Sequence, residues 1–245
     1  MKISIICVYN CEENYQNQLL SSISLSNSEI EIIGINNCKN KFSSAANALN
    51  VGAKQATGDI YIFAHQDVSI KEKDGLLKFS KTIQELPTGT IVGGAGAKEK
   101  VKVNIGNYTS GNEFNPEIIY NINELEEVSC IDEALFGMKK ETFESHSFDE
   151  RLCDNWHLYA VEMCLYQRKH RNKIYVYPIQ FHHYSYGKIN KKYVLGLIKL
   201  SNNYRPYFKY IWTTCYKVST SYIYLHLFSF IWSFYRKCKK IIKKQ

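Results

Sequence analysis

The sequence predicts an α/β protein: a mostly parallel central sheet with helices on both faces, followed by a basic, aromatic, helical extension at the C-terminus. Apolar β-branched runs alternate with segments of helical spacing through the first 190 residues, and short connections between them favour right-handed, parallel crossovers. Each of the first three runs also ends in polar residues, and ligands of open α/β sheets bind beyond the carboxyl ends of the strands. The first strand, KISIICV (2 to 8), ends at Tyr9-Asn10, and a helix is expected over 14 to 25. A second strand over 30 to 35 ends at Asn36-Asn37. In SSAANALNVGAKQATG, Ala46, Leu49, Ala53 and Ala56 recur at helical spacing until Gly58 terminates the segment. The strand DIYIFA then leads into FAHQDV, which puts His65 and Asp67 two residues apart at a strand end.

The later elements are less regular. GTIVGGAGAKEK carries GGAG but neither GxGxxG nor a following Lys-Ser/Thr, which makes a poor dinucleotide or P-loop reading. NYTSGNEFNPEIIYNINELEEV is rich in turn formers and reads as a loop near an acceptor site. YVYPIQFHH (175 to 183) reads as a strand whose alternation sends His182 and His183 to opposite faces.

Composition narrows the class. A chain of 245 residues, 45% hydrophobic, buries a full core. The eight cysteines form no CxxC pair, and the N-terminus lacks the pattern of a signal peptide, so a reducing cytoplasmic compartment with free thiols is expected. Cys7 and Cys11 have no second ligand pair nearby, which argues against zinc. All 23 acidic residues lie at or before Glu162, against 14 basic ones there, a net −9; the remainder holds 17 basic residues and no acid. Residues 222 to 235, YIYLHLFSFIWSFY, are followed by RKCKKIIKKQ with six basic residues. Fourteen helical residues reach about 21 Å, short of the roughly 30 Å hydrocarbon core. Rings beside lysines suit the headgroup region of an anionic membrane instead. Nucleic acid is not an expected partner, because the sequence shows no nucleic-acid motif.

ISIICVYN, AANALNVGAKQATG and the strand ending in HQD together resemble the N-terminal half of a family-2-type glycosyltransferase with the GT-A fold. The resemblance continues through LFGMKKETF (135 to 143), FDE (148 to 150), HLYAVEMCL (157 to 165) and YVYPIQFHH. It implies a GT-A domain over 1 to 190, and the basic, aromatic composition beyond it reads as a membrane-associating helical extension over 191 to 245. It also implies inverting transfer from a nucleotide-sugar, usually a UDP-sugar, to a lipid-linked or polysaccharide acceptor, as in bacterial capsule or other surface polysaccharide assembly. The enzyme would be peripheral on the inner face of the cell membrane.

The chemistry explains the residues. A diphosphate leaving group gains negative charge, which a divalent cation at a strand end neutralises. Asp67 would ligate Mn²⁺ or Mg²⁺; His65 replaces the family's first Asp and favours Mn²⁺ as the softer ligand. The resemblance makes His182 or His183 a further metal or diphosphate ligand. It places Tyr9, Asn10, Asn36, Asn37, Asn47 and Gln66 around the nucleotide, and Asp132 and Trp156 near donor sugar or acceptor. The family's base falls on Ala160, so the expected carboxylate is missing. Asp154 and His157, at a helix start, are alternatives, with an N-cap as the competing role for Asp154. Glu162 is another, on a face shared with Leu158 and Leu165, where partial burial makes proton acceptance feasible. Ala160 also leaves open an inactive subunit that binds sugar-nucleotide or polysaccharide.

Overall fold

The structure is a computed structural model that describes residues 1 to 23, 30 to 99, 103 to 185, 189 to 225 and 227. The end of the first predicted helix and most of the 222 to 245 tail lie outside the described residues.

β1 (Ile3–Tyr9) points Ile3, Ile5 and Cys7 to one side and Ile6 to the other, as strand alternation requires. The two sides join different buried clusters. α1 (Glu12–Asn14) starts earlier than expected and runs on as a π-helical stretch over Tyr15–Leu20 that buries Tyr15 and Leu19. β2 (Ile30–Asn36), α2 (Ala45–Ala53) and β3 (Ile60–Ala64) follow in the predicted order. The Ser44 side chain caps α2 by accepting from the Asn47 amide. In β3, Tyr61 and Phe63 face α2, while Ile60 and Ile62 face the side covered by α3.

Next come β4 (Val68–Ile70), α3 (Gly75–Glu85), β5 (Ile91–Gly93) and β6 (Ala95–Ala97). β7 (Asn104–Ser110), β8 (Glu117–Tyr120), β9 (Glu126–Val128), β10 (Cys130–Ile131) and β11 (Leu135–Lys139) complete the middle of the chain. The segment expected to be a loop thus contains a hairpin, with β8 antiparallel to β7. The turn between the two strands, GNEFNP, gathers Gly111, Asn112, Asn115 and Pro116. α4 (Lys140–Ser145) and α5 (Tyr159–Lys169) pack on the α2 side of the sheet. YVYPIQFHH is two strands, β12 (Ile174–Val176) and β13 (Gln180–His183), broken at Pro178, which has no N–H to give a ladder. α6 (Lys191–Tyr204) and the hairpin β14 (Tyr210–Trp212) with β15 (Lys217–Ser219) close the described chain.

The central sheet runs β2-β1-β3-β11-β5-β12-β9. Only its first three strands, and the β5/β12 pair, are parallel; β11 runs antiparallel to both β3 and β5. The sheet is therefore mixed, because the chain leaves it after β5 and re-enters β11 from the opposite end. That excursion contributes β6, β7 and β10 to a second sheet, β10-β6-β7-β13-β4, which β4 and β13 complete from before and after it. Gly34 in β2 allows one close approach: a Cβ there would lie 2.5 Å from the Tyr15 hydroxyl and 3.1 Å from the Tyr9 ring. Tyr9 and Tyr15 stack at 4.3 Å beneath it.

α6 and the β14–β15 hairpin pack on α5 through Leu158, Val161, Leu165, Leu197, Leu200, Ile211 and Val218. Glu162 lies at this junction, 1% exposed. The Tyr204 hydroxyl donates to its Oε1 at 2.6 Å, and His146 Nε2 lies 3.1 Å from its Oε2. It ties α4, α5 and α6 together, with both carboxylate oxygens engaged. Asp154 is also accounted for structurally: its carboxylate is largely exposed and pairs with Lys199 at 2.9 Å. Glu162→Ala leaves the buried Tyr204 hydroxyl and the half-buried His146 without this partner and should cost ~3 kcal/mol in denaturant unfolding. Asp154→Ala, which breaks a surface pair, should cost under about 1 kcal/mol.

Candidate active site at the junction of the two sheets

The turn between β3 and β4 carries the chain from one sheet to the other, and it is held on both sides. Gln66 Oε1 accepts from the amides of Asn10 and Cys11 at 2.8 and 2.9 Å, and its Nε2 donates to Asn10 Oδ1 at 2.7 Å. The His65 amide donates to the carbonyl of Ala134, and the Tyr184 amide donates to the carbonyl of Asp67. β13 pairs with β4 so that His183 stands opposite Val68. These ties bring His65, Asp67 and His183 together, with their ligating atoms all within 4.8 Å of one another.

His183 Nε2 lies 3.4 Å from Asp67 Oδ1 and 3.4 Å from His65 Nδ1. Burial works against charge on His183, but its hydrogen bond to Asp67 and the carboxylate's charge outweigh it and raise the imidazole's pKa. The same pair, with help from His65, overcomes burial and holds the Asp67 carboxyl below its ordinary value. Burial first, and then the charge of His183, lowers His65. Its Nε2 is 3.1 Å from the hydroxyl of Tyr159, whose phenol burial keeps protonated. Two imidazoles and a carboxylate at this separation make a donor set suited to one divalent cation.

Two cavities open on this cluster. The larger, of about 420 Å³, is lined by Tyr108, Asp132, Glu133, His157 and Thr214 among others. The smaller, of about 210 Å³, lies against Val8, Asn10, Leu49, Gln66 and Tyr159. Trp156 borders both. It sits just before Leu158, whose backbone is left-handed (φ 70°), an unusual geometry for a branched side chain at the start of α5.

A family model described as glycosyltransferase-like family matches residues 4 to 222. The chain belongs to this glycosyltransferase-like family. Its fold is GT-A, and solved structures share it. GalNAc-T7 with UDP, GalNAc and Mn²⁺ superposes with a TM-score of 0.57 at 13% identity, over 84% of this chain and 50% of that one. TarS 1-349 of S. aureus in complex with UDP-GlcNAc gives 0.54 at 15% identity, over 82% and 66%. The mannosyltransferase PcManGT of Pyrobaculum calidifontis with GDP-Man and Mn²⁺ gives 0.51 at 12%, over 82% and 61%. The chain thus spans about half to two thirds of these structures. No curated protein sequence matches it significantly.

In this family member the fold gathers some of the sequence's candidates and separates others. Asn10, His65, Gln66, Asp67, Asp132, Trp156, His157 and His183 all border the cavities. Tyr9 is engaged with Tyr15, and Asn36 Oδ1 accepts from the Cys38 amide. Asn37 is buried and braces the loop through Phe42, while Asn47 Nδ2 donates to Glu150. His182 takes the opposite face, with Thr109 Oγ1 at 2.6 Å and the Gly111 carbonyl at 3.1 Å, and does not join the cluster.

Glu133 was not visible as a candidate. Its carboxyl faces the amides of Leu158, Tyr159 and Ala160 at the start of α5, while Oε1 is buried with no hydrogen-bond partner. Burial, and then the neighbouring Asp132 charge, pushes it up to about 8 against those amides. Its only sequence signal is adjacency to Asp132. Asp132 itself accepts from the Ala134 amide on Oδ1 and from the Thr214 hydroxyl on Oδ2.

Mn²⁺ binding should depend on this cluster. Asp67→Ala or His183→Ala should weaken it by more than about ten-fold in calorimetric titration. Protons compete with metal for both imidazoles. Because His183 is raised, the affinity should fall as pH drops through and just above the ordinary imidazole value of about 6.5.

Proposed function

We propose that the protein transfers a sugar, with inversion, from a nucleotide-sugar to a lipid-linked or polysaccharide acceptor at the inner face of a membrane. The observation that carries this reading is the His65, Asp67 and His183 cluster set between two cavities. Relatives of the same fold hold UDP with GalNAc and Mn²⁺, UDP-GlcNAc, or GDP-Man and Mn²⁺, which supports a nucleotide-sugar here. His65, Asp67 and His183 would hold Mn²⁺ or Mg²⁺, and a bound cation there would neutralise charge growing on the departing diphosphate. Two imidazoles favour Mn²⁺.

The smaller cavity, bounded by Asn10, Gln66 and Trp156, suits the nucleoside. The larger then takes donor sugar and acceptor, with Trp156 between the two. Inversion needs a group opposite the leaving diphosphate to take the acceptor's proton as the new C–O bond forms and the old one breaks. Glu133 supplies it in this reading: it lines the larger cavity and has a free buried oxygen, and its carboxyl titrates close to neutral pH. Asp132 and His157 orient the acceptor beside it. The His157 Nε2 accepts from Asn190 at 2.9 Å, so that nitrogen is already engaged.

Titration with UDP and then GDP, with and without Mn²⁺, should show metal-dependent binding that Asp67→Ala abolishes. No nucleotide binding under any condition would overturn the reading. Glu133→Gln should keep nucleotide affinity but lose about 10²-fold or more in transfer rate. The base is the carboxylate, so the wild-type rate should rise with pH through about 8, and the variant should lack that rise. Equal absence of turnover in both proteins, with binding intact, would favour a sugar-nucleotide-binding subunit.

A further inference from the structure

We infer that the outer face of the β14–β15 hairpin, with the adjoining end of α6, is a docking surface for an anionic lipid bilayer, placed to bring a membrane-held acceptor to the larger cavity. The inference rests on the proposed lipid-linked acceptor and adds to it the folded surface that meets the membrane.

The hairpin is a two-stranded ribbon, so its two faces separate by alternation. Ile211 and Val218 are fully buried against α6. Tyr210 and Trp212 therefore share the other face with Lys217, which stands opposite Trp212. Lys217 Nζ lies 4.3 Å from the Tyr210 ring centre and 4.6 Å from that of Trp212. Two more ring–cation pairs involve residues that follow α6 and β15. Arg205 lies over Tyr222 at 5.5 Å and Lys169 over Tyr207 at 4.3 Å. Tyr207 and Tyr222 are 54% and 62% exposed. The Arg205 Nε and Thr220 hydroxyl donate to the Thr220 and Phe208 carbonyls respectively, which locks the two segments side by side.

Large exposed rings interleaved with cations are costly to leave in water and suit the headgroup layer, where rings sit at the interface and cations meet lipid phosphates. Charge gives the sign of the partner, since no Asp or Glu follows Glu162 in the sequence. The position gives the purpose. The turn joining the two strands, Thr213 to Cys215, lines the larger cavity, and Thr214 donates to Asp132 there. One end of the ribbon therefore faces the site and its outer face meets the bilayer. The described helices include none long and apolar enough to cross a membrane.

The test is co-sedimentation of the full chain with vesicles of phosphatidylcholine, with and without phosphatidylglycerol, alongside UDP titration. Wild type should partition onto the anionic vesicles only. Lys217→Ser should lower the partition coefficient about five-fold, as expected for one interfacial charge. Adding Tyr210→Ser and Trp212→Ser should lower it further, with UDP affinity unchanged. Full sedimentation of the triple variant would assign binding to the residues beyond 227 and overturn the inference. Equal binding to neutral vesicles, or displacement of the vesicles by single-stranded nucleic acid, would also overturn it. Vesicle binding lost with UDP affinity intact confines the effect to this surface, whereas a failure of UDP binding in wild type strikes the proposed function instead.

Discussion

The grip of Gln66 on the end of β1 is the constraint on which the site depends. One side-chain amide occupies two backbone N–H groups and the Asn10 side chain, so the turn after β3 cannot swing away from the neighbouring strand. Without that tie, His65 and Asp67 would be a polar turn like many others. With it, they are fixed at the point where the chain passes from the central sheet into the second sheet, and β13 adds His183 from across the chain. The ligating atoms then stand close enough that their charges shape one another: Asp67 is held ionised, His183 is drawn toward its charged form and His65 is kept neutral.

The second sheet serves the same purpose at larger scale. Its excursion between β5 and β11 turns the central sheet from parallel to mixed and builds the walls of the larger cavity around Tyr108, Asp132 and Glu133. α5 contributes its first turn, with Trp156, His157 and the left-handed Leu158 just ahead of it. The amides of that turn face Glu133, so the start of the helix stabilises a carboxylate that burial would otherwise disfavour. The far side of α5 has a different task. Glu162 there locks α4 and α6 to the core, and α6 in turn carries the hairpin that meets the cavity through Thr214.

Elements whose signal is local were legible before any tertiary contact was known. Alternation in β1 and β3, the spacing of Ala46, Leu49 and Ala53, and the polar residues closing each early strand announced a sheet with helices on both faces and a site at its edge. The sign change in charge after Glu162 and the HQD turn were equally plain, because each is written in neighbouring residues. His65 and Asp67 were legible for this reason, and the alternation of His182 and His183 foretold that they would part.

Tertiary structure decided whatever required distant residues to meet. Nothing local tells that β11 enters the sheet antiparallel, that Pro178 separates two strands of different sheets, or that His183 rather than His182 joins the cluster. Position along a helix made Glu162 and Asp154 look like candidate bases, yet burial against Tyr204 and pairing with Lys199 give them other partners. Glu133 stayed hidden because its chemistry comes from its surroundings: the amides of a helix 25 or more residues onward and a pocket wall from another sheet. A carboxylate's environment, unlike its identity, exists only once the chain has folded around it.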